Sequence, residues 1–252
     1  MDARVQSYLR AVGSRQRETA QVGPFFATFS PDDPNPYLNY ALPDDGAVPS
    51  SGDVAALMTA YEHRHRIPRL EYIPRLAPAV EPALLVAGFL VEGRLPLMIC
   101  RPGEEQNLPV PSGIEFIMPS TDEELFATIA VQNESYGAPP PPPEVVSRKR
   151  ESMAAGEIII MARVKATGEP VGAGICSLPL DGVTEIAGVG VRAPFRRRGI
   201  AGALTVALAR AAFGAGVSLA FLMALHEAEA LIYRRAGFSP IGEILHISRR
   251  PA

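Results

Sequence analysis

The order of apolar and polar residues after residue 113 predicts a mixed α/β domain. Short apolar runs bounded by turn residues predict strands at residues 114–118, 158–161, 171–178 and 183–191. The dipeptide Asp181-Gly182 lies between the last two runs and is a common hairpin turn. We therefore expect the last three of these strands to form an antiparallel meander.

Positions with a helical period separate and follow these strands. They predict helices at residues 121–136, 144–155, 200–214 and 227–236. The first helix begins with a capping box from Thr121 to Glu124, and the third should stop at Gly214 or Gly216. Start and stop signals therefore agree with the periodicity at these helix ends.

Residues 217–225 form an almost unbroken apolar run, which is typical of a strand buried on both faces. We expect this strand to run parallel to residues 183–191, because a right-handed crossover through the helix at 200–214 joins them. A final hairpin that ends at Arg249 completes the predicted domain, so that one or two strands follow the last helix.

Prolines and glycines mark the breaks along the chain. Residues 30–36 can only form a loop, because proline fixes φ and lacks an amide donor. Residues 139–143 are five consecutive prolines. Residues 101–113 are polar and rich in proline and glycine, so we place a domain boundary there. The predicted domains are residues 1–112 and residues 113–252.

An internal similarity at a constant offset of 149 residues links these two domains. The matched segments are 38–42 with 187–191, 55–57 with 204–206, 70–73 with 219–222, and 87–89 with 236–238. Chance likeness between two α/β segments is the alternative, but several matches at one offset favour a tandem repeat.

The two copies differ at the start of the shared helix. Residues 47–52 correspond to residues 196–201, yet they contain no arginine, and Pro49 removes one amide. We therefore interpret residues 1–112 as a degenerate, non-catalytic unit that supplies packing or a wall of the substrate pocket.

Composition narrows the classes of function. The formal net charge is −3, which does not favour nucleic acid. No apolar run is long enough to span a bilayer, and the N-terminus lacks the pattern of a signal peptide. Cys100 and Cys176 match no metal or redox spacing. We expect a cytoplasmic protein, a monomer or homodimer, without a metal, nucleic-acid or membrane partner.

Residues 189–204 place a strand end, a short loop and a helix start in succession. The first-turn amides of such a helix have no intrahelical partners and carry the positive end of the helix dipole. Small residues at 199, 201 and 202 let an anion approach, and residues 196–198 add three arginines. The pattern predicts a pyrophosphate site, although it is neither a P-loop nor a dinucleotide fingerprint.

The run from Arg196 to Ala201 resembles the signature of the GCN5-related N-acetyltransferase (GNAT) superfamily, Arg/Gln-x-x-Gly-x-Gly/Ala after its fourth strand. The segment from Tyr233 to Phe238 and the order of elements after residue 113 are also similar to that family. The resemblance implies an α/β GNAT-like fold with a mixed sheet. It also implies acetyl-CoA as cosubstrate and an amine on a small molecule or peptide as acceptor.

The resemblance further implies roles for individual residues. Glu185 would be the general base, and Tyr233 would be the general acid that protonates the departing thiolate. Tyr136 would contact the substrate. Contacts with the cofactor would come from Val189, Gly190, Val191, Arg196, Arg197, Arg198, Gly199, Ile200, Ala201, Gly202 and His226.

Several of these residues have a plainer interpretation. Glu185 could face solvent beside a hairpin, while Tyr136 and Tyr233 could be packing residues. His226 could be a polar loop residue, and Glu229 stands where the family usually has alanine. The function expected is acetyl-CoA-dependent N-acetyl transfer to a primary amine. The alternative is a non-catalytic acyl-CoA-binding module whose N-terminal domain binds a partner.

Overall fold

The computed structural model describes residues 1–15 and 17–249. Within these residues the α-helices are α1 (Asp2–Gly13), α2 (Ser51–Glu62), α3 (Val80–Val86), α4 (Asp122–Ser135), α5 (Val145–Ala154), α6 (Ile200–Gly214) and α7 (Glu227–Ala236). The strands are β1 (Glu18–Val22), β2 (Phe25–Phe29), β3 (Ala41–Pro43), β4 (Arg69–Tyr72), β5 (Leu90–Cys100), β6 (Ile114–Ile117), β7 (Ile158–Val164), β8 (Pro170–Cys176), β9 (Val183–Val191), β10 (Leu219–Met223) and β11 (Ser239–Ser248).

The chain divides into two compact units that do not follow its linear order. The first unit comprises Met1–Leu97 together with Ile241–Ala252, and the second comprises Met98–Pro240. These limits differ from the predicted boundary at residues 112 and 113, because residues 101–112 pack within the second unit and most of β11 packs within the first. Strand pairing explains the second difference, since β11 lies antiparallel to β4.

The second unit contains the predicted meander. Its strand order is β10-β9-β8-β7-β6, and β6 to β9 pair antiparallel. The parallel pairing of β10 with β9 confirms the orientation expected from the apolar run. Helices α6 and α7 cover one face, where buried side chains such as Leu204, Leu222 and Ala230 form the main core of this unit.

Local signals in the second unit behave as expected. The capping box of α4 is present, with Thr121 and Glu124 as its two members. Asp181 and Gly182 both have positive φ, as a tight hairpin turn requires. The predicted final hairpin is wrong, because the segment forms the single strand β11, whose pairing partner β4 lies far away in sequence.

The first unit has the strand order β1-β2-β3-β4-β11, followed by the part of β5 that belongs to it. Strands β3 and β4 pair parallel, as β9 and β10 do in the second unit. Helices α2 and α3 pack on one face, and the core there includes Leu57, Leu70, Leu84 and Leu245. The order β3-α2-β4-α3-β5 thus matches the order β9-α6-β10-α7-β11.

The start of the shared helix follows the offset seen in the sequence. Helix α2 begins at Ser51 and α6 begins at Ile200, a separation of 149 residues. Gly88 after α3 and Gly237 after α7 both have left-handed φ values, 84° and 105°. The repeated residues therefore occupy corresponding positions in the two units. Among the described residues, no helix is long and apolar enough to cross a membrane.

Candidate functional site

A cavity of about 930 Å³ opens in the second unit. Its walls come from the end of β9, the loop and first turn of α6, the exposed side of α7, the end of α4 and part of residues 101–113. This volume lies in the range of small-molecule sites in proteins.

The cavity lies where β9 and β10 stop pairing. Their described register runs from Val183 opposite Leu219 to Glu185 opposite Phe221, whereas the cavity is lined further along β9 by residues 189–191. Tyr136 stands over this part of the strand, and its hydroxyl donates to the carbonyl oxygen of Val189 at 3.3 Å. The end of β9 therefore forms one wall of the cavity.

The first turn of α6 forms another wall and leaves its amides available to a ligand. The N-cap residue is Gly199, whose φ of 82° is left-handed and costs glycine little. Gly199 has no side chain that could cap the helix, and the next residues are Ile200, Ala201 and Gly202. The amides of this turn have no intrahelical acceptor, so they favour an anion at this wall.

The three arginines before this helix all line the cavity, and two of them also bond to backbone carbonyls. Arg196 donates to the carbonyl oxygens of Val191 at 2.9 Å and Ser135 at 3.3 Å. Arg198 donates to the carbonyl oxygen of Pro194 at 2.9 Å. These hydrogen bonds help to hold the loop in place, and the predicted contacts of the arginines with the cofactor stay predictions.

The corresponding helix of the first unit has a closed N-terminus. Ser50 accepts a hydrogen bond from the amide of Asp53, and the Asp53 carboxylate accepts from the amide of Ser50. Hydrogen bonds from Ser50 hold the pKa of Asp53 below its ordinary value, so this helix start carries its own anion. An external phosphate is therefore disfavoured at α2 and favoured at α6.

The structure does not bring Glu185 into the wall of the cavity. Its side chain is half-buried at the last described pair of β9 and β10, and its carbonyl oxygen accepts from the amide of Ser177 at 2.8 Å. The cavity is lined instead by residues further along β9. The role of Glu185 as general base stays a prediction.

Two tyrosines stand close to the carboxylate of Glu229. Tyr233 is buried; burial first, and the charge of Glu229 second, raise the pKa of this phenol. Tyr136 lines the cavity, and burial followed by the charge of Glu229 raises its pKa to about 12. Both phenols therefore stay protonated at neutral pH.

His226 caps a helix. Its Nδ1 accepts the amide of Glu229 at 3.1 Å, which makes it the N-cap of α7. His226 is not among the described residues that line the cavity. The structure thus gives His226 a local structural role, and the predicted contact with the cofactor stays a prediction.

Residues 101–113 were predicted to be a boundary, but part of them lines the cavity. Leu108, Pro109 and Pro111 form this wall. The segment is fixed where the amide of Gln106 donates to the carbonyl oxygen of Ala236 at 3.0 Å. A side chain at Gly237 would overlap the backbone of residue 104, so only glycine permits this close approach. In the sequence, the one feature that indicates this wall is Leu108, an apolar residue in a mostly polar segment.

Other cavity residues were not selected from the sequence. They are Ser135, Phe195, Leu225, Glu229, Ile232 and Arg235. Most of them lie on α7 or beside it, where the departure of Glu229 from the family pattern was the available signal. Within the described residues, no group of three or more potential metal ligands is brought together.

Comparison with known proteins shows what this chain is similar to. The model of the acetyltransferase (GNAT) family matches residues 125–238. The GCN5-related N-acetyltransferase from Kribbella flavida is 25% identical, with a TM-score of 0.84 over 100% of this chain and 96% of that chain. No curated protein matched the sequence.

Two further solved structures share the fold at lower identity. The GCN5-related N-acetyltransferase from Sphaerobacter thermophilus is 20% identical, with a TM-score of 0.71 over 92% of this chain and 83% of that chain. A tandem GNAT protein from the clavulanic acid biosynthesis pathway is 15% identical, with a TM-score of 0.65 over 97% and 88%. The chain therefore has a GNAT-like fold and carries an acetyltransferase (GNAT) family domain at residues 125–238.

Proposed function

We propose that this protein is an acetyl-CoA-dependent N-acetyltransferase that acts on a primary amine. The observation that carries the proposal is the uncapped N-terminus of α6, which opens on a cavity of about 930 Å³. A helix start of this kind, followed by small residues, suits the diphosphate of a coenzyme. The family match at residues 125–238 supports the same ligand.

The residues present fit acetyl-CoA along the length of the cavity. The amides of Ile200, Ala201 and Gly202 would hold the diphosphate, with Arg197 and Arg235 as nearby cations. Backbone groups of residues 189–191 would contact the pantetheine arm. Arg196 would act indirectly, because it ties the end of β9 to α4. When bound, acetyl-CoA supplies the thioester that donates the acetyl group.

The chain's own contribution to the reaction is to place an amine beside that thioester and to remove its proton. Placing two reactants together supplies a large part of an enzyme's acceleration. An ammonium must also lose a proton before its nitrogen can attack, and a nearby carboxylate can take it. The acceptor would be an amine on a small molecule or a peptide.

The first unit is proposed to be a non-catalytic companion. The capping box at Ser50 and Asp53 closes the start of α2, whereas the corresponding start of α6 has no side-chain cap. The structure of α2 supports one coenzyme per chain for this reason. The free, buried thiols of Cys100 and Cys176 support a reducing compartment such as the cytoplasm.

The test is transfer to a panel of primary amines. Purified protein is incubated with acetyl-CoA and each amine, and release of the CoA thiol is followed alongside acetylated product by mass spectrometry. We expect product with at least one primary amine and none without protein. Binding of acetyl-CoA without transfer to any amine would contradict the proposed activity and support the acyl-CoA-binding module instead.

A further inference from the structure

Among the described residues that line the cavity, Glu229 is the one with a carboxylate. The side chain is half-buried near the N-terminus of α7, and the wall around it is formed by Leu225, Ile232 and Tyr136. The anion-binding amides belong to a different wall, at the start of α6. The cavity thus offers one group that attracts a cation.

A neighbouring backbone donor fixes the position of this carboxylate. The amide of Leu225 donates to Oε2 of Glu229 at 2.6 Å. A carboxylate can accept about four hydrogen bonds, so this donor leaves room for a ligand.

The charge of Glu229 also bears on the role of Tyr233. Burial first and this charge second raise the pKa of the phenol, because loss of its proton would place two negative charges near each other. Tyr233 therefore suits a group that stays protonated beside Glu229.

We propose that Glu229 is the carboxylate that binds the acceptor's ammonium group and takes its proton. The inference rests on the proposed N-acetyltransferase function. As the bond from nitrogen to the acyl carbon forms, the carbon–sulfur bond breaks and its electron pair stays with sulfur. Nitrogen loses two protons in all. The first leaves the ammonium before attack and goes to the Glu229 carboxylate, which releases it to solvent. The second leaves as the amide forms and goes to the sulfur, so that CoA departs as the thiol. The acceptor class is a primary amine that is charged in solution.

The experiment compares three substitutions on the full chain. Glu229→Gln removes the charge but keeps an oxygen for the Leu225 amide. Glu227→Gln makes the same change two residues earlier on α7, at an exposed residue whose ion pair with Arg234 is 3.6 Å long. Glu185→Gln tests the rival general base. The probes are acetyl-CoA in calorimetry and the best primary amine of the panel in kinetics.

The expected result is a loss of at least about 100-fold in kcat/KM for Glu229→Gln, the range of general base catalysis. The loss should shrink as the pH rises, because more of the amine is then already neutral. Acetyl-CoA should bind Glu229→Gln no more weakly than the unchanged protein. Glu227→Gln should keep its activity within about threefold.

The outcomes separate the two proposals. A loss of that size in Glu185→Gln with an active Glu229→Gln would overturn the role of Glu229. A loss of kcat/KM in Glu229→Gln that is the same at every pH would also overturn this role, because it would indicate a structural defect. If acetyl-CoA binds but no primary amine is acetylated, the proposed transfer activity fails, and the role of Glu229 fails with it. If acetyl-CoA does not bind at all, the proposed function fails first.

Discussion

At the scale of single residues, Arg69 shows how the first unit accommodates buried charge. Its side chain is 0% exposed and lies between two carboxylates, with an ion pair to Glu71 and a bond of 2.9 Å to Glu92. Ser248 also donates to Glu92, at 2.6 Å. Burial lowers the pKa of Arg69, but the two carboxylates more than offset this and raise it. The guanidinium therefore stays charged inside the unit.

Substitution of Arg69 should destabilise the protein strongly. Arg69→Met leaves Glu71 and Glu92 without their cation, and removal of one partner from a buried pair costs about 3–5 kcal/mol. The measurement is urea unfolding followed by circular dichroism. Arg94→Met is the matched control, because Arg94 bonds Glu81 and Glu243 at an exposed site and such pairs contribute about 0–1 kcal/mol. If both variants lost the same free energy of unfolding, burial of the ion pair would not be what determines the loss.

At the residue scale, the sequence predicts a site on residues 189–191 and 196–202, and these residues line the cavity together with Tyr136. Their contacts with a coenzyme or a substrate stay predictions. The direction of the Arg196 guanidinium could not be predicted, since it depends on a carbonyl of α4 that is 61 residues away. In the sequence, Glu229 differs from the family pattern, but nothing local indicates that its carboxylate lines a cavity. Its surroundings are set by tertiary packing.

At the scale of elements, the two equivalent helix starts differ in one chemical respect. Helix α2 has a side-chain cap and an acidic residue in its first turn, whereas α6 has neither. At the shared offset of 149 residues, Asp53 corresponds to Gly202. The acidic residue that closes α2 thus stands where α6 needs a small neutral one.

Transfer of that acidic residue to α6 should close the site. Gly202→Asp places a carboxylate beside the amides of the first turn, where it repels a diphosphate and favours the helix itself. We expect the Kd for acetyl-CoA to rise at least tenfold, which is about 1.4 kcal/mol, while thermal stability is retained. Calorimetry and thermal unfolding measure the two quantities.

The control for this substitution is Gly202→Asn. A Cβ at Gly202 would lie 3.2 Å from Leu108, so both variants crowd the cavity wall to the same degree. Only the aspartate adds charge. Equal weakening of acetyl-CoA binding by the two variants would show that crowding is the cause and would refute the electrostatic explanation.

Most elements followed from sequence patterns because their signals are local. Strand β9 and helix α7 have the bounds that were predicted, and α4 begins at its capping box. The final hairpin was wrong because a long apolar strand with a glycine inside it looks like two short strands. The true pairing of β11 with β4 joins residues far apart in sequence, which periodicity does not reveal.

At the scale of the whole molecule, the chain contains two units with the same order of elements and different helix starts. The repeat was visible as matches at one offset, and equivalent elements now occupy those positions. The compact units could not be drawn from the sequence, because β11 packs with the first unit and residues 101–112 pack with the second. The order of elements along the chain does not reveal these units, because β11, near the end of the described residues, pairs with β4 of the first unit.

The central claim is that the open start of α6 binds acetyl-CoA and that the capped start of α2 does not. The most direct measurement is titration of the purified chain with acetyl-CoA by isothermal calorimetry. The account predicts one saturable site per chain, which is weakened at least tenfold in Gly202→Asp. Absence of saturable binding, or two equivalent sites per chain, would contradict it.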